Sequence, residues 1–397
     1  MNPFVQNLSE IARKPSRYII GLMSGTSLDG LDVALCRFHS SGPETEVELL
    51  EFTTVPYTEE VKTNVRKVFA KETVHFPFLA MLNPWIGRLH GEMINTCLNK
   101  WGVHSTTVDL IASHGQTVMH MPKRLHQNPD FPNATLQIGD GDHVAESTGI
   151  ITISDFRQKH CAVGGEGAPL ALYGDYLLFQ NPLEDRVLIN IGGIANFTYL
   201  PQNGHFKEVF ATDTGPGNTM IDAFVQKHYA LAYDKNAELA LKGTLIPALL
   251  DTLLAHDYFQ QAVPKTTGPE LFNLAYLESA LKTLNESPSP EDILHTLAHF
   301  SMRALIQEIQ KTVPQSPNLT IYLSGGGMHN PLFCRLLEEA FSPEKVKPMD
   351  SLGISGDAKE AILFAALANE TVAGNKGFAR PNHTEESFFM GKISFPS

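Results

Sequence analysis

Apolar residues in this chain follow two rhythms. Short strand-like runs bounded by small residues occur at 18–20, 33–35, 47–55, 110–113, 135–140, 149–155 and 319–322, and 187–200 reads as strand, glycine turn, strand. Helical spacing predicts helices at 58–71 and 77–101, the second with Leu79, Leu82, Ile86, Leu89, Met93 and Cys97 near one face. Further helices are predicted at 170–179, 218–231, 291–312, 330–340 and 358–373. The runs at 18–20, 33–35 and 47–55 predict an antiparallel meander. Residues 1–17 read as a short extension before it. Proline-rich breaks at 264–269 and 287–290 mark loops, and 157–169, rich in glycine and charge, reads as a functional loop.

The stretch between the first two strands carries candidate chemistry. Gly21, Ser24, Gly25, Thr26, Ser27 and Gly30 offer backbone N–H groups and hydroxyls with little bulk, which suits phosphate oxygens. Asp29 and Asp32 are candidates for a hydrated Mg²⁺, which prefers oxygen ligands and keeps its waters. Taken alone, a glycine-rich hairpin that merely turns is the simpler reading, because short glycine patterns arise often by chance. The design recurs, however, with Gly192 and Gly193 inside 187–200, and a third cluster, Gly325, Gly326 and Gly327, follows the strand at 319–322.

Two phosphate hairpins and a glycine corner for a nucleoside form the layout of the actin, hexokinase and Hsp70 ATPase architecture. The expected fold is α/β, with two ribonuclease-H-like domains and an interdomain cleft. Residues 1–153 plus about 357–397 are expected in the first domain and 154–356 in the second. On this reading ATP meets Gly25, Thr26, Ser27, Leu28, Asp29, Gly30, Leu31 and Asp32 in the first hairpin. It meets Gly192 and Gly193 in the second, and Gly325, Gly326 and Gly327 at the corner.

Composition narrows the class. A chain of 397 residues, 43% apolar and 18% charged, has the volume for two cored domains. A net charge of −13 argues against nucleic acid or an anionic membrane as partner. No apolar run reaches the roughly 18–20 residues that span a bilayer, and the first ten residues are too polar for a secretory signal, so a cytoplasmic location is expected. Cys36, Cys97, Cys161 and Cys334 show no Cys-x-x-Cys spacing, as expected of reduced thiols. No P-loop and no dinucleotide fingerprint occurs.

With these residues in hand, the chain resembles the anhydro-N-acetylmuramic acid kinases of bacterial cell-wall sugar recycling, nearly throughout from Tyr18 onward. The blocks that carry the resemblance are 21–30 (GLMSGTSLDG), 113–117 (SHGQT), 164–170 (GGEGAPL), 190–193 (NIGG), 213–218 (DTGPGN), 325–327 (GGG) and 353–357 (GISGD). The resemblance implies that water attacks C1 of 1,6-anhydro-N-acetylmuramic acid, the bridge opens, and O6 takes the γ-phosphoryl group of ATP. It implies Asp213 as general base, ATP with Mg²⁺, and sugar contacts from His114, Gln116, Thr117, Lys159 and Glu360. A homodimer is compatible with it. Departures from the family pattern are Lys159 and His160 in an arginine-rich stretch, Glu166 where Gln is common, and Pro269 where Arg is usual.

Each candidate has a plainer reading. By pattern alone Asp213 is a turn or helix-capping residue, and only the resemblance reverses that. His114 and Gln116 end a buried strand where ligands collect in open sheets, or they are satisfied core groups, with nothing to separate the two. Glu360 contacts a sugar hydroxyl, as the resemblance favours, or simply complements a helix dipole. His295 and His299, four apart on a helix, have a metal-pair spacing but no third ligand, which favours a structural role. Rival functions are another sugar kinase of the same architecture and a nucleotide-gated binding protein of the actin or Hsp70 type.

Overall fold

The computed structural model describes residues 1–397 apart from Thr26, Glu286, Ser355, Pro381 and Asn382, and describes 383–386 by backbone alone. The chain divides into two compact units, Met1–Phe179 with Asp357–Ser397, and Gln180–Gly356.

In the first unit β1 (Ser16–Ser24), β2 (Gly30–His39) and β3 (Glu46–Pro56) form the expected antiparallel meander. β4 (Leu110–Met121) lies parallel to β1 and carries β5 (Ala134–Ile138) as an antiparallel partner. β6 (Thr152–Ser154) is parallel to β4, and the C-terminal strand Lys392–Ser394 closes that side. The second unit repeats the plan. β7 (Asp185–Ile191), β8 (Ile194–Leu200) and β9 (Phe210–Pro216) form a meander, with β10 (Leu319–Ser324) parallel to β7 and β11 (Val346–Pro348) parallel to β10. A meander followed by strands parallel to its first member, twice over, is the ribonuclease-H-like topology of the actin and hexokinase architecture. The parallel additions each need a long crossover, which helices supply.

Each sheet packs its own core. Ile20, Leu22, Val33, Ile86 and Ile111 are buried together in the first unit, and Ile189, Phe197, Phe224, Leu297 and Phe300 in the second. The helix Lys359–Ala373 lies across β1 as part of the first unit. Its stretch from Ala361 to Glu370 is buried throughout, and its alanines let it come close. A Cβ on Gly21 would stand 1.9 Å from the carbonyl oxygen of Ala361.

Several expectations change. The first unit does not end near 149–155 but runs on to Phe179, because the helix Ala171–Phe179 packs on Lys359–Ala373, with Gly174 against Leu363. Residues 1–17 hold the helix Pro3–Arg13, started by Pro3 and by Asn2, whose side chain accepts the Phe4 N–H at 2.9 Å. The loop expected at 157–169 begins as the helix Phe156–Ala162. β4 does not stop at Ser113. It runs through His114 and Gln116, which were expected near its end, and on to Met121, where β5 pairs with residues 116–121. Among the described residues no helix is long and apolar enough to cross a membrane.

Gly21→Ala should force β1 and the helix apart and lower stability by about 1–3 kcal/mol, the usual range for overpacking. Thermal melts of the variant and parent read this directly, and an unchanged midpoint would show that the helix gives way freely.

Candidate active site

The turn of the first hairpin is held from behind by buried polar groups. Ser24 Oγ donates to Gln116 Oε1 at 2.5 Å and lies 2.8 Å from the Tyr57 hydroxyl, which lies 2.8 Å from His90 Nε2. Gln116 Nε2 donates to the carbonyls of Gly25 and Thr117 at 3.3 and 3.1 Å. Those bonds fix the amide orientation, so Ser24 gives its only proton to Gln116 and must accept from Tyr57. Tyr57 in turn accepts from His90 Nε2–H, and the proton order runs one way along the chain of groups. Burial pushes the pKa of His90 down to about 4, which keeps this ring neutral and the order intact.

Gln116 is fully buried, with its amide engaged by Ser24 and by the Gly25 and Thr117 carbonyls. Leu28 and Leu31 are core side chains, which leaves only their main chain for a nucleotide. Ser27 and Asp29 are exposed, and Asp32 accepts from Thr54 Oγ1 at 2.6 Å. Thr26 lies outside the described residues, as does Ser355 of the 353–357 block.

His114 packs on Phe364 and its Nε2 accepts from Arg157 Nε at 2.7 Å, while Arg157 Nη1 donates to the Gly167 carbonyl at 2.8 Å. Burial first, then the Arg157 charge, hold His114 down at about 3, so the ring is neutral. Glu360, in the first turn of Lys359–Ala373, keeps an exposed edge. The protein close around its carboxyl still pushes its pKa up, against the pull of Arg157. Thr117 Oγ1 accepts from Gln137.

The departures in the loop have structural partners. His160 is buried, accepts the Gly167 N–H at 3.0 Å and meets the Tyr173 hydroxyl at 3.0 Å. Glu166 pairs with Arg124 at 3.1 Å, and Lys159 is exposed. Pro269 is exposed and its carbonyl accepts from Asn273.

In the second unit the turn at Gly192 and Gly193 docks on the start of the helix Thr219–Tyr229. The N–H groups of Gly217 and Thr219 donate to the Gly193 carbonyl, and that of Asn218 to the Gly192 carbonyl. The glycine corner packs on the same hairpin. Gly325 has φ +79°, and a Cβ there would come within 2.6 Å of Asn190 Oδ1, while one on Gly327 would strike Ile191. Gly326 alone of the three faces open space.

Asp213 is neither a cap nor a turn residue. It sits in β9 opposite Asn196, and Asn218 occupies the cap position of the next helix. The Thr267 N–H donates to Asp213 Oδ2 at 2.9 Å, while Oδ1 accepts no hydrogen bond among the described residues. Its N–H donates to the Lys265 carbonyl and its own carbonyl accepts from the Tyr258 hydroxyl. Burial raises the pKa of Asp213, the Thr267 N–H opposes this, and the nearby charge of Glu270 adds to it. A half-buried carboxylate with one free oxygen and a raised pKa is equipped to take a proton.

The family model described as anhydro-N-acetylmuramic acid kinase matches residues 17–385. The chain belongs to the anhydro-N-acetylmuramic acid kinase family. It is similar to the anhydro-N-acetylmuramic acid kinase of Pseudoalteromonas translucida, 50% identical over 100% of both chains. It is also similar to that of Caldanaerobacter subterraneus subsp. tengcongensis, 36% identical over 98% of this chain and 100% of the relative.

Within this anhydro-N-acetylmuramic acid kinase family member, no group of three or more His, Cys, Asp or Glu side chains among the described residues is placed to hold a metal ion. Asp32 is nevertheless pushed up by burial and, beyond that, by Asp357 and Asp29 nearby, whereas Thr54 lowers it. His295 and His299 share a hydrogen bond at 3.1 Å, and His295 Nδ1 lies 2.8 Å from the Ala240 carbonyl, in keeping with a structural pair.

Tyr57, His90, Arg157, Tyr258 and Thr267 were not singled out from the sequence. His90 left one trace, a polar group four residues from Ile86 and Ile94 on the apolar helix face. Gly326→Val should keep the fold and weaken ATP binding by roughly tenfold or more, whereas Gly325→Val should unfold the corner. Calorimetry together with melting curves separates the two, and parental ATP affinity in folded Gly326→Val would move the nucleotide elsewhere.

Proposed function

We infer that this chain is an ATP-dependent kinase that opens the bridge of 1,6-anhydro-N-acetylmuramic acid with water and phosphorylates O6. The products are N-acetylmuramic acid 6-phosphate and ADP, in the recycling of cell-wall sugar. Family membership along the whole chain is the observation that carries this reading. No observation favours a nucleotide-gated binding protein or a kinase for a different sugar.

In the reaction Asp213 takes a proton from water as the water oxygen bonds to C1. The C1–O6 bond breaks, and O6 attacks the γ-phosphorus, releasing ADP. What supports Asp213 is its free Oδ1, its raised pKa and its fixed carboxylate. Phosphoryl transfer depends on positioning and charge neutralisation more than on covalent chemistry. The open glycines, Gly25, Gly192 and Gly326, leave room for main-chain approach to a nucleotide. Asp29 and Asp32 would hold Mg²⁺, which supplies charge neutralisation at the phosphates. Neutral His114, held by Arg157, and Glu360 support sugar contacts on the first unit, with Thr117 and exposed Lys159 as further candidates.

Asp213→Asn keeps the size of the side chain and can still accept from Thr267, but it cannot take the proton. Turnover should fall by roughly 10²–10⁴ while both affinities stay within a few-fold. Heavy-oxygen water should label C1 and not the phosphate. A fully active variant, or label in phosphate, would sink the mechanism.

The pH dependence has a defined sign. The base works unprotonated, so kcat should fall as pH drops through a pKa above the ordinary Asp value of about 3.9. Glu270→Gln removes a repelling charge and should move that limb to lower pH. A limb that stays in place would mean another group controls it.

A further inference from the structure

The second unit contains an ion pair whose two side chains are both buried. Lys265 Nζ lies 2.6 Å from Glu308 Oε2, with the side chains 3% and 5% exposed. The ammonium also donates to the Tyr258 carbonyl at 3.2 Å and sits 4.7 Å over the Tyr258 ring. Desolvating two charges is unfavourable by several kcal/mol for each ion, and apolar side chains of like volume often stabilise a core as well or better. Stability is thus a weak account of this pair.

Its attachments give a better one. The main chain of Lys265 borders the exposed side of β9, the last strand of its sheet. There its N–H donates to Thr212 Oγ1 at 3.1 Å and its carbonyl accepts the Asp213 N–H at 3.0 Å. Two residues on, the Thr267 N–H holds Asp213 Oδ2, and Tyr258 at the other end of the segment holds the Asp213 carbonyl. Segment 258–267 therefore fixes both the main chain and the carboxylate of Asp213. Glu308 belongs to the long helix Pro290–Thr312, so the ion pair ties that segment to a rigid element.

We propose that Lys265 and Glu308 are positioning residues for Asp213, their buried ion pair locking segment 258–267 as the frame that aims the carboxylate. The proposal rests on Asp213 being the base. Neither residue touches substrate. Their effect is on geometry, where a shift of about 1 Å can cost on the order of 10² in rate.

The test replaces the pair with apolar side chains in Lys265→Met/Glu308→Leu. This variant should melt at or above the parent temperature, with KM for ATP and for the anhydro-sugar within about threefold and kcat lower by roughly 10–100-fold. Loosening the Thr267 bond removes a group that favours the charged carboxylate, so the acid limb of kcat should also move to higher pH. A pair that serves only stability moves neither the limb nor kcat in a folded protein.

Glu308→Gln, which keeps an acceptor for Lys265, serves if the double variant does not fold, and it should show the same two changes in smaller measure. Parental kcat with an unmoved limb in whichever variant folds overturns the proposal. Asp213→Asn measured alongside keeps the two ideas apart. An active Asp213→Asn overturns the base and the proposal with it, whereas an inactive one beside a fully active pair variant overturns the positioning role alone.

Discussion

In both units the glycine turns stand where two stretches of main chain touch with no side chain between them. Gly21 lies against the carbonyl of Ala361, Gly30 against that of Val55, Gly217 against that of Gly192, and Gly325 against that of Ile191. Any side chain at these places would pry a helix, strand or loop away from its neighbour. The path of each turn is thus set by what lies behind it, and the front is left free. Gly25, Gly192 and Gly326 are the members whose missing side chains meet nothing closer than ordinary contact. Glycine accordingly has two uses here, one for packing and one for leaving a surface bare.

Behind these turns the two units are stiffened by different chemistry. In the first, neutral groups pass hydrogen bonds from His90 through Tyr57 and Ser24 to Gln116. In the second, a charged pair holds a loop against a helix. Buried hydrogen bonds narrow the conformations open to the groups they join, although His90 Nδ1 and Glu308 Oε1 have no hydrogen-bond partner among the described residues. The arrangement suits a reaction that gains most from fixed positions.

Much of the architecture was legible in local pattern. Strand runs, glycine turns and helical spacing recovered the first meander, the β7–β8 hairpin and the long helices, since each depends on neighbours in sequence, whereas β9, which carries Asp213, lies outside the predicted runs. Asp213 could be found only through its resemblance, because Asp, Gly and Pro together read equally well as a turn. The supports of the site stayed hidden for a physical reason. Ser24 meets Gln116 92 positions away, Tyr57 meets His90 33 away, and Lys265 meets Glu308 43 away. No periodicity records such pairings. The continuation of β4 from Gln116 to Met121 depends on pairing with β5, which lies further along the chain.

The first unit is assembled from both ends of the chain, Met1–Phe179 and Asp357–Ser397, whereas the second is one continuous stretch. The helix that covers β1 and the strand that closes the β6 side are made after the whole of the second unit. On the ribosome the usual order, in which the N-terminal domain finishes first, is therefore reversed. The nascent second unit can complete its core while the first still shows water the apolar face of β1. Translation has to pass through the whole of the second unit before the half that began first is sealed.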